Sequence, residues 1–384
     1  MDFGIPDEYR QMKDTTRRFV ADVLRPAERT VERQEIIDDG LHRELVAEAR
    51  RYGLWNAFVP EKWGGSGILD MLPRTLIREE LGATSYVLRS YVDNSVPIDL
   101  DDTSEYQRER YFLPALAGDK RWFAGITEPG AGSDNGAMTT RATQDGTDWV
   151  LNGQKHFISG VDTADFGLIY AVTDPSKRKH GGISAFIVEK GMPGFTVGPR
   201  QVMMGHRGFN QYVLYFDDCR VPQENMLGGA GGGLRQFLSM IVGARLKVAA
   251  EAIGAAQYAH DLGVDYTKQR EVLGSRLIDK QGIQWMLIDA MVALQGARLM
   301  TYEAAWKADQ GQDIRVEASM AKMHATEVAW RVIDTALQVH GGLGYTEDLP
   351  LARLLRDIRG ARIYEGANEL QRYVISKALW GVGQ

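Results

Sequence analysis

The stretch Trp149-Val150-Leu151-Asn152-Gly153-Gln154-Lys155-His156-Phe157-Ile158 sets the fold class, because its pattern differs from everything on either side of it. Asn-Gly between apolar runs is a strong type I′ hairpin signal, so the spacing predicts a turn at Asn152-Gly153. Asp145-Gly146 just upstream is a second turn candidate. Further on, 166–172, 183–188 and 211–216 are short runs rich in β-branched and aromatic residues, the composition of strands. Together they predict a compact antiparallel β domain over residues 122–227. Strands and helices do not alternate there, which argues against a doubly wound sheet.

Outward from this region the period becomes helical. Within 1–121, Asp7 can cap a helix that ends before Pro26, with Tyr9, Met12, Phe19, Val20 and Val23 near helical spacing. Further helices are predicted over about 41–51 and 73–81. Ser104 with Gln107 has the form of a capping box, opening a helix that stops before Pro114. Within 228–384 the spans are long, about 234–268, 281–310, 314–340 and 349–379. A helix of about 30 residues reaches about 45 Å, and four such spans predict a bundle. The run Gly228 to Gly233 reads as a hinge-like connector. It ends in Leu234-Arg235 rather than the Gly-Lys-Ser/Thr of a phosphate loop, and it follows a surface turn rather than a strand. The fold class expected is therefore α+β: an N-terminal helical domain, a middle antiparallel β domain and a C-terminal four-helix bundle.

The bulk numbers narrow the function. The 384 residues are 44% hydrophobic and 25% charged, with a formal net charge of −6. That suits a large soluble core and disfavours nucleic acid as a partner. The single cysteine, Cys219, excludes an intrachain disulfide and a multi-cysteine zinc site, and reads as core filler. No signal peptide or membrane-spanning run is evident, so a reducing, cytoplasmic compartment is expected, with no membrane partner and no metal.

Five segments carry a sharper signal: Thr127-Glu128-Pro129-Gly130-Ala131-Gly132-Ser133-Asp134, Leu151-Asn152-Gly153-Gln154-Lys155, Phe216-Asp217-Asp218-Cys219-Arg220-Val221-Pro222, Gln338-Val339-His340-Gly341-Gly342 and Tyr364-Glu365-Gly366. In residues and in order they resemble the acyl-CoA dehydrogenase family, and the resemblance covers nearly the whole chain. Taken alone, the first segment is a Gly/Pro-rich turn and Glu365 an exposed glutamate.

The resemblance implies FAD as cofactor and Glu365 as catalytic base. It implies that Ile126, Thr127, Gly132 and Ser133 lie against the flavin, and that Phe157, Ile158 and Ser159 stand where the family usually has Trp-Ile-Thr. Arg270, with Gln338, Gly341 and Gly342, would reach the FAD of a neighbouring subunit, which implies a dimer or tetramer, and Leu273 and Gln281 would also bind the cofactor. Leu273 replaces the family's phenylalanine, while Ala367 and Glu369 replace its more common Thr/Ser and Gln beside the cofactor. Ser133, Arg245, Tyr364 and Gly366 would contact substrate. Ala244 fills the position where other members keep an alternative base, which leaves Glu365 for that role. The implied reaction is α,β-dehydrogenation of an acyl-CoA thioester, with an electron-transfer flavoprotein or similar acceptor as partner. Alternatives are a thioester held on a carrier protein, or a related flavin oxidase. The family's acyl-pocket helix falls near 82–103, where Tyr86, Arg89, Tyr91, Asp93, Asn94, Asp99, Asp101 and Asp102 predict a short, branched or polar acyl group. Arg353, Arg356, Asp357, Arg359 and Arg362 read as a structural ion-pair face.

Overall fold

The computed structural model describes residues 4–92 and 99–382, and only the backbone at Lys179 and Ser239. Asp93 and Asn94 therefore lie outside the described residues. The N-terminal part is helical: α1 (Asp7–Phe19), α2 (Arg25–Gln34), α3 (Asp39–Arg51) and α4 (Met71–Leu81). Pro6, not Asp7, occupies the cap position of α1. The expected stop before Pro26 does not occur. A wide helical turn at Val20–Leu24 intervenes, and Pro26 falls in the first turn of α2, where its missing N–H is tolerated. Pro114 is handled the same way. Ser104 and Gln107 form the capping box that opens α5 (Glu105–Gln107), a wide turn follows at Arg108–Phe112, and α6 (Leu113–Ala117) carries the proline at its start.

Eight strands make one sheet: β1 (Trp122–Gly125), β2 (Arg141–Asp145), β3 (Asp148–Ser159), β4 (Phe166–Val172), β5 (Ile183–Glu189), β6 (Phe195–Gln201), β7 (Gln211–Val221) and β8 (Met226–Leu227). Their order is β6-β7-β3-β2-β4-β5-β8, with β1 parallel to β4. The predicted turn at Asn152-Gly153 is not a turn. β3 runs through it, and the chain reverses at the other candidate, between β2 and β3. At Asn152-Gly153 the register with β7 slips instead. Gly153 has φ +142, and a Cβ there would come within 2.7 Å of Thr140. The glycine thus serves a bulge under a close neighbour. A second slip, between Lys155 and Ile158, turns Phe157 out of the sheet at φ +58.

The C-terminal part packs α7 (Gly233–Gln269), α8 (Gln281–Asp309) and α9 (Arg315–His340) with α10 (Leu351–Ala361) and α11 (Asn368–Trp380). The predicted helix over 349–379 is thus two helices with a break. A core rich in alanine, including Ala249, Ala252, Ala318, Ala321 and Ala325, lets these helices approach closely. A small hairpin, β9 (Glu271–Val272) and β10 (Ser275–Arg276), joins α7 to α8. The glycine run is pinned rather than hinge-like, since the Gly231 N–H donates to Ser184 Oγ on β5 at 2.8 Å. The arginine face of α10 is structural in part: Arg353 pairs with Glu28 and Arg356 with Glu32, both on α2. Cys219 is buried in the sheet core. Among the described residues no helix is long and apolar enough to cross a membrane, and no metal-ligating cluster occurs.

Candidate active site

The break between α10 and α11 carries Glu365. Glu365 (φ 53) and Gly366 (φ 84) are both left-handed, a conformation that costs glutamate about 1–2 kcal/mol. Such a turn persists only when its surroundings hold it. Here Gln371 Nε2 donates to the carbonyls of Glu365 (3.3 Å) and Gly366 (2.8 Å). From α9, Lys322 Nζ donates to Gly366 O (2.9 Å) and Asn368 Oδ1 (3.0 Å). Asn368 Nδ2 donates in turn to Thr326 Oγ1 and Glu327 Oε1, both at 3.0 Å.

The turn leaves Glu365 half-buried. Burial pushes its carboxyl above the ordinary value, Lys247, Lys322 and Arg245 pull it back, and Glu251 opposes them. Arg245 is buried on α7. Its Nη1 donates to Ser319 Oγ at 3.0 Å, while its Nε has no partner. Burial also lowers Lys247, to about 8. Glu369 is exposed in the first turn of α11, so it does not share a helical face with Glu365.

Beyond the glutamate the walls are polar and aromatic. Tyr86 stacks on His206 (4.1 Å) and meets Tyr364 edge-on (5.8 Å). Behind them Glu251 takes Arg78 Nη1 and Arg89 Nη1, each at 3.0 Å. The remaining donors of Arg89 go to the carbonyls of Thr84 and Gly82. Arg78, Glu251 and Arg89 thus form a buried ionic lattice behind the rings. Tyr91 is buried, whereas Asp99, Asp101 and Asp102 face solvent.

A second cluster forms on the sheet. Thr127 O accepts the His156 N–H at 2.8 Å, which joins the 126–134 loop to the end of β3. Lys155 Nζ, fully buried, donates to Glu128 Oε1 (2.8 Å) and Ile126 O (3.2 Å). Glu128 also accepts from the N–H and hydroxyl of Thr139 and the N–H of Thr140. Gly132 and Ser133 are exposed, with nothing within 4 Å of a Cβ built on Gly132. Ile158 is buried beneath, while the Phe157 ring stands 49% exposed beside it. The hydroxyls of Thr127, Ser133 and Ser159 stand half-buried or exposed. An open aromatic face bordered by hydroxyls and bare backbone suits a flat heterocycle with a polar rim, so these residues fit FAD.

The remaining expected residues stand apart. Tyr266 stacks on His340 at 4.3 Å, which brings the α7–α8 turn and the end of α9 to one end of the bundle. There Arg270, Leu273, Gln281, Gln338, Gly341 and Gly342 are all exposed, Leu273 at 94%. Ala367 and Glu369 flank the Glu365 turn instead. Arg245, Tyr364 and Gly366 gather at Glu365, whereas Ser133 belongs to the sheet cluster.

Sequence reasoning missed Lys322, Lys247 and the pairing of Glu128 with Lys155, and named Tyr86 only as one of the polar residues of 82–103. Lys322 had a legible signal, as a charge on the face of α9 that also carries Ala318, Ala321, Ala325 and Ala329. Lys155 had none, because the bulges that set which way it points are not written in the alternation.

Comparison with known proteins identifies the family. The family models described as acyl-CoA dehydrogenase N-terminal, middle and C-terminal domains match residues 6–119, 124–219 and 231–380. A short-chain specific acyl-CoA dehydrogenase of Clostridium acetobutylicum is 36% identical over 98% of this chain and 99% of its own length. The structure of butyryl-CoA dehydrogenase from Megasphaera elsdenii is similar at TM-score 0.88 and 36% identity, covering 99% of this chain and 100% of that one. A structure described as PigA with FAD and proline is similar at TM-score 0.91 and 30% identity, covering 99% of each chain.

Proposed function

Because the chain belongs to the acyl-CoA dehydrogenase family, we propose that it desaturates a short acyl-CoA thioester between its α and β carbons, with Glu365 as the base. It is an oxidoreductase acting on acyl-CoA, and its cofactor is FAD. The carrying observation is the half-buried Glu365 carboxylate, held by an over-determined turn and faced by three cations. Glu365 takes the α-proton, and the nearby cations stabilise the carboxylate that must receive it. FAD, when bound, supplies the two-electron acceptor for the hydride leaving the β-carbon. Ile126, Thr127, Gly132, Ser133, Phe157, Ile158 and Ser159 would hold it on the sheet side. A second copy of the chain would add Arg270, Leu273, Gln281, Gln338, Gly341 and Gly342, which are exposed in a single chain. Ala367 and Glu369 would flank it near the base. An electron-transfer flavoprotein or similar protein would accept the electrons.

The short acyl group is supported by the names of relatives, short-chain and butyryl. A second reading is an aminoacyl or acyl thioester on a carrier protein; the likeness to a structure described as PigA with FAD and proline bears on the aminoacyl group alone. One anaerobic experiment tests these readings: flavin bleaching with butyryl-CoA, long-chain acyl-CoA and carrier-bound thioesters. Butyryl-CoA should bleach fastest, and Glu365→Gln should slow it by about 10²–10⁴-fold while keeping FAD and thioester binding. Parental bleaching by Glu365→Gln would remove the base from its role, and fastest bleaching by long chains would refute the short pocket.

A further inference from the structure

Lys322 is fully buried on the alanine face of α9. An ammonium in such a place is stable only if its charge is answered. Yet its two hydrogen bonds go to neutral oxygens, Gly366 O and Asn368 Oδ1, and it forms no ion pair among the described residues. The carboxylate acting on it most strongly is Glu365, ahead of Glu369 and Glu327. The same ammonium grips the carbonyl of Gly366, next to Glu365 in the left-handed turn.

Resting on the reading of Glu365 as base, we propose that Lys322 is its positioning residue and buried counter-cation. One ammonium fixes the turn that aims the carboxylate and supplies charge that keeps it ionised. The geometry separates these two effects, because the neutral members of the clamp (Gln371, Asn368, Thr326) do only the first. The other charged and titratable groups around Glu365 are Arg245, Lys247 and Glu251 from α7, Tyr86 from the N-terminal part, and Glu369 on α11. They are the same in every Lys322 variant compared, so a shift reports Lys322.

The test is the pH dependence of anaerobic flavin reduction by butyryl-CoA, on FAD-loaded protein of verified fold. Lys322→Met should move the acidic limb upward by half a pH unit or more, lowering the rate about threefold on that limb. Lys322→Gln also removes the charge but keeps an amide donor for Gly366 O, and should shift the limb in the same direction. Lys322→Arg, which keeps the charge, should restore the parental limb in whatever fraction folds. Limbs unmoved in both Lys322→Met and Lys322→Gln, with only a uniform fall in rate, would reduce Lys322 to a structural plug and overturn the proposal. If Lys322→Met does not fold, Lys322→Gln decides by the same criterion. Failure of the underlying reading looks different: Glu365→Gln would then reduce its flavin normally, whatever Lys322 does.

Discussion

Lys155 on β3 and Lys322 on α9 are both fully buried, and each ties a loop to a rigid element. Lys155 meets Glu128 at 2.8 Å. Burial pushes Glu128 up, but Lys155 and the Thr139 and Thr140 donors outweigh it and draw the carboxyl down to about 2. Burial still lowers Lys155 to about 8, although Glu128 pulls the other way. The carboxylate's response is the better guide to this pair, because its ionised form collects every donor around it. That pair is closed, so it fixes the 126–134 loop and leaves little field outside. Lys322 meets only neutral oxygens, and its field is left to act on Glu365. The contrast separates a cation that builds a cradle from one that also sets the chemistry beside it.

Removing each cation tests the contrast. Lys155→Met strands a buried carboxylate, which typically costs about 3–5 kcal/mol. Lys322→Met takes one donor from each of two neutral acceptors that keep another, Gln371 Nε2 on Gly366 O and Thr326 Oγ1 on Asn368 Oδ1, at about 0.5–1.5 kcal/mol each. Denaturant unfolding should therefore rank Lys155→Met as the less stable, with FAD loss following because its loop is released. Equal losses would mean that Lys322 is paired as tightly as Lys155. The closed pair should also show in acid. A carboxylate whose folded pKa is depressed contributes stability that is present above its ordinary value near 4.5 and is lost as pH falls toward about 2. The thermal midpoint should drop across that window in the parent and less steeply in Glu128→Gln. Identical acid profiles would place the loss at other carboxylates.

The legible part of this molecule was its periodicity. The strand runs beginning at Phe166, Ile183 and Gln211 and the long helices from Gly233 and Gln281 follow composition, because burying one face of a regular element repeats along the chain. The breaks were less legible. Asn152-Gly153 carries turn chemistry, but β7 pairs across it and converts the signal into a bulge. Pro26 and Pro114 carry stop signals, but a wide turn before each absorbs them. Glu365 was visible only through its resemblance to a family segment, since its left-handed backbone depends on Lys322, 43 residues earlier (365 − 322). The ionic lattice of Arg78, Arg89 and Glu251 was half visible: Arg89 stood out as a charge in a region expected to be apolar, while its partner on α7 did not.

The smallest expected effect separates geometry from charge within the Glu365 clamp. Thr326, fully buried, accepts from Asn368 Nδ2 at 3.0 Å and donates to the Lys322 carbonyl at 2.9 Å. Thr326→Val keeps the branched shape and removes the hydroxyl. Asn368 Nδ2 still has Glu327 Oε1 at 3.0 Å, so the amide keeps its orientation and its Oδ1 still faces Lys322. The loss should be that of two neutral hydrogen bonds, about 0.5–1.5 kcal/mol each by denaturant unfolding. Because no charge changes, the acidic limb of flavin reduction should stay where the parent has it. A limb that moved with Thr326→Val as far as with Lys322→Met would show that the set of the turn, rather than the charge of Lys322, governs Glu365. A stability loss well beyond that range would mean that Asn368 turns once the hydroxyl is gone, leaving Lys322 with Gly366 O alone.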